Sequence, residues 1–339
     1  MSFQDFATYR EIVSQTAAWE QAIDLARSAQ LGPLGTDWDQ VIFTGCGSTY
    51  YLSLAAAALY QELTRRPARA VPGSELLLNP KTVLTERRSL LVAVSRSGTT
   101  TETLRAAEKF KSEGHGPVLV ISNYGEELAG YADASIIIPL GQEESVAQTR
   151  SFASMYVAAT AICARIAGRA DLVSAMDALP AVGERLINRY AAVAQTLGEG
   201  LDYDRFYFLG SGTRYGLACE ASLKMKEMTL THSEPFHFLE FRHGPMSMVN
   251  ENTRILGLLS QANAGHENAV LLEMRELGAK TTSLAELQAD VAFDSGMPEP
   301  LRGVLYLPVL QLLAFHRSVA KGLNPDRPEN LGAVVKLDL

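Results

Sequence analysis

FTGCGSTYYLSLAAAALYQEL at 43–63 and FLGSGTRYGLACEASLKMKEM at 208–228 are two versions of one segment. They align without gaps at an offset of 165. Seven of 21 pairs are identical: Phe43/Phe208, Gly45/Gly210, Gly47/Gly212, Tyr50/Tyr215, Leu52/Leu217, Ala56/Ala221 and Glu62/Glu227. The same offset pairs Ser95 with Ser260 and Glu102 with Glu267. Two copies of one domain, each about half the chain, account for this most simply.

Working outward, each copy reads as α/β. In the first, apolar runs ending in Gly or Ser mark strands at 41–45, 90–95, 117–122 and 135–139, separated by helical patterns at Tyr50–Arg65, Thr101–Glu113 and Phe152–Ile166. The second repeats this with strands at 206–210, 254–260, 281–285 and 291–294 and helices near 214–230, 264–278 and 304–320. Continuous apolar strands alternating with helices predict a parallel sheet covered on both faces. The expected organisation is a helical arm over 1–35, a first domain over 36–170, a helical connector over 171–200, a second domain over 201–320 and an irregular tail over 321–339.

Composition narrows the function. The chain has 339 residues, 47% hydrophobic and 20% charged, too apolar for disorder. A net charge of −8 argues against nucleic acid or an anionic membrane as partner, since both demand a basic face. Cys46, Cys163 and Cys219 are scattered, without a CxxC, and predict reduced thiols in the cytoplasm. The start, MSFQDFATYREIVSQ, is polar and amphipathic, so a signal peptide is not expected there, and the apolar run 52–60 is cut short by Gln61 and Glu62.

The segment LLVAVSRSGTTTETL (90–104) runs from a buried strand through Ser95, Arg96, Ser97, Gly98, Thr99 and Thr100 into a helix. Ligands of open α/β sheets bind at such junctions. Free main-chain N–H groups and the helix N-terminus attract an anion there, and four hydroxyls add donors. The expected ligand is a phosphate held in a local nest without lysine. A Ser/Thr-rich helix cap would use the same residue types, but four hydroxyls in six residues favour a ligand. The turns GCGSTY (45–50) and GSGTRY (210–215) carry GxG but place Tyr50 and Tyr215 where a dinucleotide fingerprint needs its third glycine. NAD binding is therefore not expected. Ser48 and Thr49 either face the ligand or only serve tight strand-to-helix packing.

In the second copy the loop SQANAGHE (260–267) has lost the hydroxyl cluster. Glu220, Lys224 and Glu227, at i, i+4 and i+7, share one helical face. A surface Glu–Lys ladder would look the same. However, Glu220 and Lys224 replace Ala55 and Leu59 of the first copy, which suggests a site on that face. His232, His237 and His243 lack metal-ligand spacing, and no metal is expected. His243, beside Arg242 and Gly244-Pro245, is a candidate general acid or base.

In these motifs the sequence resembles the tandem sugar-isomerase (SIS) domain family, across nearly the whole chain. They are GCGSTYY (45–51), SRSGTTTETL (95–104), ESVAQTRSF (144–152), EASLKMKE (220–227), EFRHGP (240–245) and PENL (328–331). The resemblance implies two tandem doubly wound, flavodoxin-like parallel-sheet domains of α/β class. It implies phosphate binding by Ser95, Arg96, Ser97 and Thr100, with Ser48 and Thr49 nearby. Val146, Ala147 and Gln148 would line the sugar. Glu227 would move a proton between C1 and C2, with Glu220 and Lys224 as its helix partners. His243 would open the sugar ring, supplied by the neighbouring subunit of a homodimer with a shared active site. No cofactor is implied.

The expected activity is that of a phosphosugar aldose–ketose isomerase or amino-sugar-phosphate deaminase or deglycase. The specific expectation is conversion of glucosamine 6-phosphate to fructose 6-phosphate and ammonia. The alternative is a non-catalytic sugar-phosphate-binding regulatory protein. Two departures from glucosamine-6-phosphate synthase stand out. No cysteine lies within 1–40, so glutamine cleavage is not expected of this chain. The tail lysine, which can form a Schiff base in the synthase, is replaced by Ala333, with Lys336 the nearest lysine.

Overall fold

Apolar runs ending in glycine or serine become the central strands of two five-stranded parallel sheets. The computed structural model describes residues 2–337; Met1 of the arm and Asp338 and Leu339 of the tail lie outside the described residues. Along the chain, α1 (Ala7–Val13) and α2 (Gln15–Ser28) precede β1 (Gln40–Gly45), α3 (Ser48–Thr64) and β2 (Ala68–Pro72). Then come α4 (Gly73–Leu78), α5 (Pro80–Val83), β3 (Ser89–Ser95), α6 (Thr101–Ser112), β4 (Val118–Ser122), β5 (Ala134–Ile137) and α7 (Arg150–Ile166). Helices α8 (Ala170–Ala175) and α9 (Leu179–Glu199) lead to β6 (Arg205–Gly210), α10 (Thr213–Thr229), β7 (His232–Phe236) and β8 (Thr253–Leu258). The last elements are α11 (Ala264–Glu276), β9 (Lys280–Ala285), β10 (Val291–Ala292) and α12 (Leu307–Ala320).

The sheets run β2-β1-β3-β4-β5 and β7-β6-β8-β9-β10. Counted within its own copy, each has the order 2-1-3-4-5 of a flavodoxin-like doubly wound fold. Every residue of β3 and β4 is buried, as expected of strands covered on both faces. Two strands were not foreseen, β2 and β7, and they occupy the same edge position. Their sequences, ARAVP and HSEPF, are partly polar and carry a proline, which a sheet tolerates at an edge. The helix expected over 304–320 is a 3-10 stretch, Glu299–Tyr306, continued by α12.

The repeated GxG has a steric cause. A Cβ on Gly45 would lie 2.4 Å from Thr49 Oγ1 and 2.7 Å from its carbonyl carbon; one on Gly210 would lie 2.5 Å from the Arg214 carbonyl oxygen. Gly47 and Gly212, with φ of +57° and +59°, adopt a backbone that side chains rarely accept. The glycine pair lets a helix start directly against the carboxyl end of its strand.

The chain forms two compact units that are not contiguous in sequence. One holds Ser14–Glu143, Arg150–Pro180 and the tail from Gly332; the other holds the start up to Val13, Glu144–Thr149 and Ala181–Leu331. Four of the expected segments are therefore divided. The arm splits after Val13, Glu144–Thr149 leaves the first domain for the second unit, the connector splits after Pro180, and the tail splits after Leu331. Asp326 explains part of this: its carboxylate accepts hydrogen bonds from Ala7 N and Thr8 N at 2.9 and 2.8 Å, tying α1 to the tail.

Within the second unit, α12 buries His316, whose ring meets Phe3 edge-on at 4.8 Å. Burial pushes His316 down from 6.5 to about 4, against a smaller upward pull from Glu199. Between these values the unfolded chain binds a proton that the folded chain excludes, so stability is lost as pH falls from 6.5 toward 4. Urea titrations across that window should show His316→Leu losing less stability than the unaltered protein. Equal losses would rule out His316 as a source of acid sensitivity.

Candidate active site

In the first unit, Ser95 closes β3 and Thr100 stands at the N-cap of α6. Between them the loop folds on its own hydroxyls. Gly98 N donates to Ser95 Oγ at 3.1 Å, and Thr99 N and Oγ1 donate to Ser97 Oγ at 3.1 and 3.2 Å. The Ser97 and Thr100 hydroxyls are 3.5 Å apart, and Gly98 turns with φ of +69°. Among the described residues the Thr100 side chain caps none of the first amides of α6, and of these Thr101 N meets a main-chain carbonyl, that of Val335. This leaves hydroxyls, main-chain N–H groups and a positive helix end gathered in one loop, the chemistry of an anion nest.

Thr49 Oγ1 accepts from Cys46 N at 2.9 Å and donates to Cys46 O at 3.0 Å, so this buried hydroxyl braces the first turn. Ser48 is buried beside it at the start of α3. Arg96 is 8% exposed. Its guanidinium lies 3.7 Å from the buried Glu143 carboxylate and donates to the Ala333 carbonyl at 2.7 Å. The tail continues along the loop: Thr101 N donates to Val335 O at 3.5 Å and Leu337 N to Thr101 Oγ1 at 3.1 Å. Thus the residue at the synthase lysine position, Ala333, meets the loop through its backbone, while Lys336 is exposed.

In the second unit, α10 carries the charged cluster. Lys224 and Glu220 are each 1% exposed, with Nζ 3.3 Å from Glu220 Oε1. Lys224 also donates to Glu227, which is half-buried. The surface-ladder reading of these residues is overturned by their burial. Their counterparts Ala55 and Leu59 are buried too, at 0% and 1% exposure, so the two copies fill one position with methyl groups or with ions. Burial pulls the Lys224 ammonium down, but Glu220 and Glu227 outweigh it, and the net shift is upward. Lys224 is thus a fixed cation at neutral pH beside a carboxylate with partial solvent access.

The same unit brings Val146, Ala147 and Gln148 to this helix. Buried Ala147 packs with Met228 of α10 and Ala314 of α12. Gln148 turns a buried side-chain carbonyl oxygen that has no hydrogen-bond partner among the described residues. His243 is not brought into the cluster: it is exposed after a 3-10 turn, Glu240–Arg242, and no hydrogen bond or ion pair joins its ring to Glu220, Lys224 or Glu227 among the described residues.

The second copy's loop explains its lost hydroxyls. Glu267 Oε2 accepts from Ser260 N at 2.5 Å and Ser260 Oγ at 3.0 Å. Glu299 Oε1 accepts from Gln261 N at 2.8 Å and lies 3.2 Å from Arg214. Two internal carboxylates thus accept from Ser260 and Gln261, the counterparts of Ser95 and Arg96 at the offset of 165. A groove of about 760 Å³ at the amino ends of the strands, lined by Lys81, Arg87, Lys109 and His115, contains none of these residues, and chemistry outweighs cavity size in locating the site. Sequence reasoning missed Glu143, Glu11 and Asp326. Each is an acid in a segment read only as a helix, a motif flank or a tail.

A family profile for the SIS domain matches residues 36–165 and 201–292. The glutamine–fructose-6-phosphate aminotransferase (isomerizing) of Pyrococcus horikoshii is 27% identical over 97% of this chain and 57% of its own length. The same enzyme of Halobacterium salinarum is 29% identical over 98% and 59%. The chain therefore spans less than three fifths of the length of these relatives. Among solved structures, glucosamine-6-phosphate deaminase from Thermotoga maritima is 26% identical with a TM-score of 0.84, covering 98% of this chain and 100% of that one. Tagatose-6-phosphate ketose/aldose isomerase from Escherichia coli, 22% identical with a TM-score of 0.82 over 96% and 95%, shares the fold. The chain belongs to the SIS domain family.

Among the described residues no carboxylate accepts from the Ser97 or Thr100 hydroxyl, whereas Glu267 and Glu299 fill the second loop. Calorimetric titration with inorganic phosphate should saturate at a single phosphate per chain. Ser97→Ala or Thr100→Val should weaken binding by about tenfold for a lost charge-assisted hydrogen bond. Ser260→Ala should leave the affinity unchanged; weakened binding in that variant would contradict the assignment.

Proposed function

We propose that the protein is an amino-sugar-phosphate deaminase of the isomerase type, converting glucosamine 6-phosphate and water to fructose 6-phosphate and ammonia. The observation that carries this is the buried Glu220–Lys224–Glu227 cluster in a place the other copy fills with Ala55 and Leu59. Ser95, Ser97, Thr100 and the neighbouring Ser48, Thr49 and Arg96 hold the phosphate. Val146, Ala147 and the open acceptor of Gln148 line the sugar. The likeness to the Thermotoga deaminase, at 26% identity and a TM-score of 0.84, supports the deaminase reading.

The chemistry follows from the groups. His243 moves a proton between the ring oxygen and O1, opening the ring to the C1 aldehyde. Glu227 takes the proton from C2 and returns it to C1, Lys224 stabilises the negative charge developing on O1, and a proton passes from the amino nitrogen to O1, leaving a C1 hydroxyl. The resulting C2 imine adds water and releases ammonia, leaving the ketone of fructose 6-phosphate. No step calls for a lysine imine, which accords with Ala333 in the tail. Because His243 is exposed on its own unit, we assign it to the partner's site in a homodimer. The three free thiols accord with a reducing cytoplasm.

With glucosamine 6-phosphate, enzymatic assay should detect ammonia and fructose 6-phosphate in equal amounts. Glu227→Gln should lower kcat by at least about a hundredfold, the contribution of a positioned base. Fructose 6-phosphate formed from a hexose phosphate with no ammonia released from any amino sugar, or no turnover over a panel of hexose and hexosamine phosphates, would overturn the assignment. For the shared site, inactive His243→Ala and inactive Glu227→Gln chains are unfolded together and refolded. Mixed dimers should regain activity, and failure to do so would place His243 within its own chain's site.

A further inference from the structure

The segment Glu144–Thr149 interrupts the first unit and docks in the second. Its backbone is held there by two acids from distant parts of the chain. Glu11 of α1 is 3% exposed. Its Oε1 accepts from Glu144 N at 2.6 Å and from Ser145 N at 3.3 Å, and its Oε2 accepts from the Ser145 hydroxyl. Val146 N donates to the Asp326 carbonyl at 2.9 Å. The Asp326 carboxylate caps α1 through Ala7 N, Thr8 N and Thr8 Oγ1, the last at 2.7 Å. At the far end Gln311 Nε2 donates to Thr149 O at 3.0 Å. Three consecutive amides, 144 to 146, are thus fixed by one closed circuit: α1 holds the segment, Asp326 holds both α1 and the segment.

Such a circuit is not needed merely to bury the segment. Ala147 makes the hydrophobic contact, and two exposed amides could bond to water at little cost. A buried carboxylate that accepts from two amides of a loop with one oxygen and from its serine hydroxyl with the other fixes the loop's position, and a fixed loop is what substrate orientation demands.

We infer that Glu11 is a positioning residue, which sets the sugar-lining backbone Val146–Gln148 against α10 and acts on the substrate only through that segment. This rests on the proposed role of Val146–Gln148. Asp326 serves the same end by holding α1 in place.

The test combines hydrogen exchange with kinetics on the full-length chain. In Glu11→Ala, amides 144 and 145 should exchange at least about tenfold faster, the loss of one buried hydrogen bond each. KM for glucosamine 6-phosphate should rise by a similar factor with kcat changed less, and inorganic phosphate affinity should stay the same. Glu11→Gln keeps an acceptor for the two amides and should recover most of both losses. If Glu11→Ala fails to fold, the comparison of Glu11→Gln with the unaltered chain carries the test, with a smaller shift in the same direction. Faster exchange with unaltered KM would overturn the positioning role. A loss confined to thermal stability, with KM unmoved, would overturn it equally. Absence of turnover in the unaltered chain would instead defeat the deaminase reading, and the exchange data would still decide whether Glu11 holds the segment.

Discussion

The fold turns on how closely a helix can approach the strand that precedes it. At Gly45 and Gly210 the first helical turn comes so near that a single methyl group would overlap it. At Gly47 and Gly212 the backbone takes a left-handed step to make that approach possible. Both copies keep this junction, and both therefore present a helix start and one helix face at the carboxyl ends of their strands. What hangs on the junction then diverges. One copy keeps a hydroxyl-lined loop after its third strand, and the other engages Ser260 and Gln261 with Glu267 and Glu299.

The helix face diverges in the opposite sense. Ala55 and Leu59 show that apolar side chains satisfy this position completely, since both are buried without any polar partner to arrange. Glu220 and Lys224 occupy the same place at the cost of stripping water from two charges. Buried ion pairs often stabilise a fold no better than the apolar residues they replace. Stability does not explain them, because the other copy does without. Under the proposed function, a cation that stays charged while buried, flanked by one sealed and one half-open carboxylate, serves proton transfer at carbon.

Much of the architecture was legible because buried parallel strands are apolar throughout, and VIFTG, LLVAVS and PVLVIS can hardly be read otherwise. The repeat supplied the second copy. The edge strands β2 and β7 escaped because an edge has one hydrogen-bonded neighbour and one wet side. ARAVP and HSEPF carry neither the apolar run of a central strand nor a clean alternation, and Pro72 and Pro235 speak against a ladder. The division of the arm, the Glu144–Thr149 segment and the tail between units escaped for a different reason. Chain order predicts neighbours in sequence, whereas these pieces are placed by hydrogen bonds spanning 133 residues for Glu11 and Glu144 and 318 for Thr8 and Asp326.

The candidate site was legible where the proposed chemistry calls for particular side chains in a particular spacing. It was illegible where a residue serves only to hold a backbone. Hydroxyls crowded at a strand end and charges on a helix face are each improbable enough to be noticed. Glu11 lies in a short amphipathic helix, where an acid attracts no notice. One trace was available: the buried stripe of α1 is Ala7, Thr8, Glu11 and Ile12, so a charge stands on the face that packs inward. An ionisable group on such a stripe must find partners inside the protein. With no basic residue beside it on that face, the partners had to be donors brought from elsewhere in the chain. That reasoning leads from a helical pattern to a held loop, though it cannot say which loop.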